Sequence, residues 1–142
     1  MKTVSHILSQ KPAQLFSVTT DTSVYHALEI MMEKNISALL VMDFKKLLGI
    51  FSERDYARKI ILQGKSSKDT PIDEVMTSNL ITVSMNDSIE YCMQLMTENH
   101  IRHLPVVENE KVSGMISIGD VVKSVIEDQK SIIEHLQNYI SG

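Results

Sequence analysis

The stretch Gly49-Ile-Phe-Ser52-Glu-Arg-Asp55 occurs a second time in the chain as Gly114-Met-Ile-Ser117-Ile-Gly-Asp120. The same offset of 65 residues aligns Ile36-Ser-Ala-Leu-Leu-Val41 with Ile101-Arg-His-Leu-Pro-Val106 without a gap. A fixed offset that keeps glycine, serine and aspartate in step indicates one structural unit used twice. The repeat therefore predicts two units, over residues 1–66 and 67–142.

Each unit is predicted to run strand, helix, strand, strand, helix. In the first unit, Ser23 precedes apolar residues at helical spacing and is expected to cap that helix. The second helix is expected to begin near Ser52 and to end at Gly64, a glycine suited to the left-handed conformation after a helix. Strands are predicted over 15–18, 38–42 and 48–51, and in the second unit over 80–83, 104–107 and 112–116. The predicted fold class is α+β, and the two small sheets are expected to pack as a pseudo-twofold pair in one disc, because neither could bury both of its faces alone.

The last helix is predicted to be much longer than its counterpart in the first unit. Its apolar stripe continues for about 20 residues, some 30 Å of helix. We expect the surplus to form a homodimer contact, with a simple covering helix as the alternative. The stripe consists of Val121, Val122, Val125, Ile126, Gln129, Ile132, Ile133, Leu136 and Ile140.

Composition limits the classes of function. Of the 142 residues, 43% are hydrophobic and 23% charged, which is typical of a folded globular chain. The net charge of −4 has the wrong sign for non-specific nucleic-acid binding, and no apolar run reaches the roughly 18 residues of a membrane span. The single cysteine, Cys92, excludes an intramolecular disulfide and suits a reducing compartment, so a cytoplasmic location is expected. Because Cys92 aligns with Ala27 on an apolar helix face, it is predicted to be a core residue.

The repeated Gly-x-x-Ser-x-x-Asp motif places a serine where a strand passes into a helix. The N–H groups of a first helical turn carry partial positive charge, which suits a phosphate. Asp55 and Asp120, one turn further, can each accept hydrogen bonds from the vicinal hydroxyls of a ribose. The same spacing matches a capping box, a purely structural device. Two copies at one repeat position favour ligand binding over capping alone.

The chain resembles a tandem pair of cystathionine-β-synthase-type (CBS) domains over about residues 4–128. The resemblance rests on the two repeated motifs and on two further segments, Ile101-Arg-His-Leu-Pro-Val-Val107 and Asp73-Glu-Val-Met-Thr77. The resemblance implies βαββα units, frequent homodimers, and an adenosine nucleotide bound in clefts between the two units. It implies a stand-alone regulatory module that is not an enzyme and that signals occupancy to a partner protein. AMP is the first candidate ligand, and ADP, ATP, NAD and S-adenosylmethionine are the others.

The resemblance also assigns ligand contacts to matching positions of the two repeats. The early strands would meet the base, the aspartate the ribose, and the serine with nearby basic residues the phosphates. In the first repeat these residues are Ser17, Val18, Ile36, Ser37, Ala38, Ser52, Arg54, Asp55 and Arg58. In the second repeat they are Thr82, Val83, Ile101, Arg102, His103, Pro105, Ser117 and Asp120.

The two sites are not expected to be equivalent. Leu40 stands where the second repeat has Pro105, so the base pockets should differ in shape. Gly119 stands where the first repeat has Arg54, so the second helix start must draw positive charge from Arg102, His103 or the other unit. A nucleotide-free dimerisation scaffold, in which the serine–aspartate pairs only cap helices, is the alternative function.

Other chemistry finds less support. His100 and His103 have no evident third ligand, so no metal site is predicted. No histidine stands in recognisable partnership with a serine or cysteine nucleophile, so no catalysis is predicted. A single-stranded nucleic-acid binder would need an aromatic platform and positive charge, which this composition does not provide.

Overall fold

The computed structural model describes residues 2–11 and 15–141. The chain begins with helix α1 (Val4–Ser9). The first repeat follows as β1 (Ser17–Val18), α2 (Val24–Lys34), β2 (Ala38–Asp43), β3 (Lys46–Ser52) and α3 (Glu53–Tyr56), which a π-helical turn continues over Ala57–Ile61. Its three-stranded sheet has the order β1-β2-β3, with β1 parallel and β3 antiparallel to β2.

The second repeat has the same order of elements, except that its first strand is reduced to a single bridge. A short 3₁₀ turn, Ile72–Glu74, precedes it. Its elements are α4 (Ile89–Asn99), β4 (His103–Glu108), β5 (Lys111–Ser117) and α5 (Ile118–Ser141), and β4 and β5 form a two-stranded sheet. The predicted α+β class and the long C-terminal helix are confirmed.

The serines predicted to start the first helix of each repeat do so. Ser23 Oγ accepts the His26 N–H at 3.1 Å, and Ser88 Oγ accepts the Tyr91 N–H at 3.0 Å. These bonds satisfy amide groups that a helix start otherwise leaves without a partner. Both helices end on a left-handed residue, Asn35 (φ 53°) and His100 (φ 54°), so His100 occupies a helix-capping position.

The first strand of each repeat is shorter than predicted. The strand expected over 15–18 contains only Ser17–Val18, and the one expected over 80–83 is reduced to a single bridge between Val83 and Val106. In the first repeat, the Leu40 N–H donates to the Phe16 carbonyl at 3.2 Å. Pro105 takes the repeat position of Leu40 and has no N–H to donate, so the second strand cannot extend in the same way.

The helix that follows Ser52 ends with Gly64 in the position predicted for it. Its last turn, Ala57–Ile61, has π-helical geometry, and the Leu62 N–H bonds the Ala57 carbonyl at 3.2 Å. Beyond this turn, the Gly64 N–H bonds the Ile61 carbonyl at 3.2 Å and the Lys65 N–H bonds the Ile60 carbonyl at 3.0 Å, which is the Schellman pattern of a helix end. Gly64 has the left-handed conformation that this pattern requires, with φ at 67°.

The chain divides into two compact units, and the segments that lead into the repeats are exchanged between them. The first-repeat unit contains the elements from β1 to Leu80 together with Glu110–Val112, and the second-repeat unit contains α1 and most of the remainder from Ile81 onward. The sequence boundary between residues 66 and 67 separates the repeats, whereas each compact unit includes the segment that precedes the other repeat.

The core of each unit shows how the exchanged segments are used. In the second-repeat unit, Val4 and Ile7 of α1 are buried with the core of the second repeat. In the first-repeat unit, Ile72 and Val75 take the equivalent places. Each segment packs closely on a motif glycine: a Cβ at Gly49 would lie 2.6 Å from Met76 Sδ, and one at Gly114 would lie 2.8 Å from a Leu8 methyl. The motif glycines therefore leave room for the exchanged segments.

Candidate functional site

The first-repeat motif forms a complete capping box at the start of α3. The Asp55 N–H donates to Ser52 Oγ at 3.3 Å, and the Ser52 N–H donates to Asp55 Oδ2 at 3.0 Å. The Ser52 hydroxyl also donates to Asp55 Oδ2 at 3.2 Å. The structural role that the sequence offered as an alternative is therefore present in this repeat.

The second carboxylate oxygen of Asp55 has partners of its own. Thr77 Oγ1 donates to Oδ1 at 3.1 Å, and the Lys59 ammonium lies 3.2 Å from the same oxygen. Lys59 Nζ also donates to the Val75 carbonyl at 3.0 Å. Because Asp55 is only 9% exposed and both oxygens are engaged, a ligand hydroxyl would have to share or replace one of these contacts.

The second-repeat motif repeats this arrangement with a different cation. The Ser117 N–H donates to Asp120 Oδ2 at 2.8 Å, and the Asp120 N–H donates to Ser117 Oγ at 3.2 Å. Lys11 Nζ lies 2.8 Å from Asp120 Oδ2 and donates to the Met115 carbonyl, also at 2.8 Å. The Asp120 side chain is 23% exposed, against 12% for Asp55, so the second motif is the more accessible.

Electrostatics hold Asp120 in its ionised form. Burial alone would raise the pKa of this carboxyl, but hydrogen bonds from Lys11 and from the Ser117 N–H, with the charge of Lys11, lower it below its ordinary value. Asp120 is therefore a hydrogen-bond acceptor at neutral pH. This is the form that can receive hydroxyl groups of a ligand.

Sequence reasoning missed Lys11. It expected the positive charge at the second helix start to come from Arg102, His103 or the other unit, and the structure supplies it from the segment just after α1. The available signal was the three-residue insertion around Lys11, which the second repeat lacks. The other two inserted residues, 12 and 13, lie outside the described part of the chain.

The first-turn amides of both motif helices are partly used within the protein. The Glu53 N–H donates to the Ser37 carbonyl at 3.1 Å, and the Ile118 N–H donates to the Arg102 carbonyl at 2.8 Å. These equivalent bonds join each motif helix to the residue that precedes β2 or β4. Together with the serine caps, they leave fewer amides for a phosphate than the sequence suggested.

The remaining candidate residues fall into groups by burial. The side chains of Val18, Ala38, Val83 and Pro105 are buried, so only their backbone is available to a base. Ser17, Ser37, Arg58, Thr82 and Arg102 are exposed, and Ile36, Ser52, Arg54, Ile101, His103 and Ser117 are half-buried.

Some of these residues line cavities in the described part of the chain. In the first-repeat unit, Ile36, Ser37 and Glu53 line a cleft of about 420 Å³ against the end of α2. In the second-repeat unit, Lys11 and Asp120 line a cavity of about 40 Å³. The structure thus brings Ile36 and Ser37 together at one cavity and places Asp120 at another.

His103 is expected to make the stability of the second-repeat unit depend on pH. Burial lowers the pKa of His103 below its ordinary 6.5, and the positive charges of Lys11 and Arg102 act in the same direction. The negative charge of Asp120 opposes them. The unfolded chain therefore takes up a proton below pH 6.5 that the folded chain resists. We therefore expect His103 to lower the free energy of unfolding as the pH drops below 6.5, by at most about 1.4 kcal/mol per pH unit.

Urea unfolding at pH 7.5, 6.5 and 5.5 measures this effect. His103→Gln is expected to flatten the loss of unfolding free energy, whereas His135→Gln, at an exposed position of α5, is expected to leave it unchanged. An equal slope in the wild type and in His103→Gln would contradict the assignment.

Three further observations concern other classes of site. Within residues 2–11 and 15–141, no three His, Cys, Asp or Glu side chains cluster closely enough to hold a metal ion. None of the described helices has the length and hydropathy needed to cross a bilayer. Cys92 is buried in the second-repeat core, as predicted, and burial, with the charge of Asp87, raises the pKa of its thiol to about 11.

Comparison with known proteins agrees with the repeat. The sequence model of the CBS domain matches twice, over residues 4–62 and 72–127. The chain is 45% identical to the Arabidopsis thaliana mitochondrial protein CBSX3 over 129 residues, which are 87% of this chain and 63% of CBSX3. It therefore spans less than two thirds of that relative.

Solved structures extend the comparison. A protein with CBS domains from Burkholderia ambifaria is 50% identical, with a TM-score of 0.87 over 90% of this chain and 96% of that one. The CBS domain pair of protein MJ0100, solved with 5′-methylthioadenosine and S-adenosylmethionine, is 28% identical, with a TM-score of 0.80 over 90% and 98%. The chain belongs to the CBS-domain family and contains a tandem pair of CBS domains.

Proposed function

We propose that this chain is a non-catalytic regulatory module that binds an adenosine nucleotide through its serine–aspartate motifs and signals occupancy to a partner protein. AMP is the first candidate, followed by ADP, ATP and NAD. Support comes from MJ0100, a relative whose CBS pair was solved with two adenosine derivatives. A ligand regulates only if it binds one conformation of the module better than another.

Asp120 is the observation that carries this proposal. It is ionised, partly exposed and fixed at the start of a long helix by the Ser117 N–H and the Lys11 ammonium. A carboxylate in this position can accept the two neighbouring hydroxyls of a ribose. The other residues assigned to ligand contacts lie between Ser17 and Arg58 in the first repeat and between Thr82 and Ser117 in the second. They remain predictions, which binding of the same ligand would test.

A dimerisation scaffold without ligand is the second candidate function. The capping box at Ser52 and Asp55 favours it, because Thr77, Lys59 and Ser52 already engage both carboxylate oxygens. In this case the motifs stabilise the helix starts and nothing else. Ligand titration separates the two functions, since only the regulatory module gains stability from a nucleotide.

Thermal unfolding with a panel of ligands tests the proposal. The panel contains AMP, ADP, ATP, NAD, S-adenosylmethionine and methylthioadenosine, with GMP as a control for the base. A ligand at 100 times its Kd adds about 2.7 kcal/mol and raises the Tm by roughly 5–15 °C. A shift with adenosine ligands but not with GMP supports the module. No shift with any member at millimolar concentration contradicts it and favours the scaffold.

We also propose a homodimer formed through α5. Beyond Ser124 the helix presents apolar side chains with 46–82% of their surface exposed, among them Ile126, Ile133, Leu136 and Ile140. Val122, Ile126, Gln129, Ile133, Leu136 and Ile140 are spaced alternately by four and three residues, which is the seam of a coiled coil. In a parallel coiled coil, isoleucine at the a positions (126, 133, 140) with Leu136 at d favours two strands over three or four, so the proposed partner is a second copy of α5.

The cytoplasm remains our proposed location, and it rests on the single cysteine of the sequence. The relative CBSX3 is named as a mitochondrial protein. Either compartment holds adenosine nucleotides, so the proposed function does not depend on this choice.

A further inference from the structure

Each motif aspartate has a lysine counterion, and the two lysines come from different parts of the chain. Lys59, one turn after Asp55, joins that carboxylate to the Val75 carbonyl. At the repeat position of Lys59, the second repeat has Ser124, whose buried Oγ has no hydrogen-bond partner in the described structure. Lys11 replaces the missing cation and joins Asp120 to the Met115 carbonyl. The positive charge is thus kept while its source changes.

The two lysines differ in what they leave available to a ligand. Lys59 and Thr77 bind Asp55 Oδ1, while Ser52 binds Oδ2, so the first carboxylate is contacted on both oxygens. Lys11 and the Ser117 N–H both bind Oδ2 of Asp120. Lys11 therefore neutralises the more exposed carboxylate from one side.

The charges around Asp120 depend on this lysine. Lys123 and Glu127 line the same small cavity, and Glu127 lies 3.6 Å from the Lys2 ammonium. Arg102 and Lys11 both act on nearby His103 as positive charges and favour its neutral form. Lys11, Lys123 and Arg102 are thus three cations near the second motif, beside the carboxylates of Asp120 and Glu127. Without Lys11, the negative charge of Asp120 would lose the cation that lies 2.8 Å from it.

We propose that Lys11 is a specificity-determining residue that makes the second motif select phosphate-bearing nucleotides over the cationic S-adenosylmethionine. This inference rests on the proposed function and specifies its ligand class. An ammonium 2.8 Å from the ribose-binding carboxylate attracts a 5′-phosphate and repels a sulfonium at the same end of the adenosine. The preference differs from the ligands found with MJ0100, which are a sulfonium and a neutral thioether.

Isothermal titration with three probes tests the inference. AMP, adenosine and S-adenosylmethionine share the base and ribose and differ in charge at the 5′ end. For the wild type we expect AMP to bind more tightly than adenosine, and S-adenosylmethionine to bind least. Lys11→Met removes the charge and keeps the length of the side chain, and we expect the ratio of AMP to adenosine affinity to fall about tenfold. Lys11→Arg keeps the charge and should keep the ratio.

Lys123→Met is the matched control, because Lys123 lines the same cavity, whereas the ammonium that pairs with Asp120 is that of Lys11. We expect it to change the ratio less than twofold. An unchanged ratio in Lys11→Met, or an equal fall in Lys123→Met, overturns the role of Lys11 while the proposed function stands. If the wild type binds none of the three probes, the proposed function fails, and the inference fails with it. Lys11→Arg separates the charge of the side chain from its structural role. If the ratio of AMP to adenosine affinity falls in both Lys11→Met and Lys11→Arg, the charge is not the cause and the inference is overturned.

Discussion

Asp120→Asn is expected to weaken the binding of an adenosine nucleotide by about 10- to 100-fold. The carboxylate would accept charge-assisted hydrogen bonds from ribose hydroxyls, each worth roughly 1.5–3 kcal/mol, whereas a neutral amide has one acceptor oxygen and accepts weaker bonds. Asp55→Asn is expected to have a smaller effect, because Asp55 is more buried and already contacts Thr77, Lys59 and Ser52. Isothermal titration of each variant with AMP measures the change.

The control for this prediction is Asp87→Asn. Asp87 accepts the Ser84 N–H at 2.8 Å, a bond like the one that Asp120 makes with Ser117, but it lies outside the motif. This variant should lose some stability and keep its affinity for the nucleotide. If Asp120→Asn costs only about 0.5–2 kcal/mol of stability and leaves the affinity of the wild type intact, the aspartate is a helix cap and not a ligand contact.

The second large effect is expected at the proposed dimer interface. Replacing both Ile133 and Leu136 by Glu places two acidic side chains in the centre of the α5 seam, where a parallel partner helix would bury them. We expect the dissociation constant of the dimer to rise at least 100-fold, since apolar residues at the centre of an interface contribute most of its binding energy. Sedimentation equilibrium should then give the single-chain mass of 16.0 kDa instead of twice that value.

Ser131→Glu with Asn138→Glu is the matched control, because both positions lie on the opposite, f face of the heptad. This double variant adds the same charge and should remain a dimer. Ile133 and Leu136 are 53% and 57% exposed in the single chain, so their replacement is not expected to unfold it. A wild type that sediments as a monomer contradicts the proposed interface, and so does a dimer that survives the Ile133 and Leu136 changes.

The repeat made most of the fold predictable, because its offset specifies both the elements and the core. Val24 and Ile89, or Met31 and Met96, are buried at equivalent positions, as the aligned apolar patterns indicate. The two sheets differ where a single residue changes the hydrogen bonding, as Pro105 does by removing an N–H. Such differences are local and can be found by comparing the repeats position by position.

The exchanged segments were harder to predict. The similarity between residues 7–9 and 75–77 was visible in the sequence, but periodicity does not say which repeat a leading segment packs against. The role of Lys11 depends on this packing, because Asp120 lies 109 residues away in the chain. A pairwise contact at that separation leaves no pattern in a single sequence. The serine and aspartate of each motif, in contrast, lie three residues apart, and their mutual hydrogen bonds follow from local geometry.

Isothermal titration of AMP into the wild type and into the double variant Asp55→Asn with Asp120→Asn tests the central claim most directly. We predict saturable binding to the wild type and a loss of affinity of at least 100-fold in the double variant, with both proteins folded by circular dichroism. Equal affinity in the two proteins, or a folded wild type that binds no nucleotide, would contradict the account.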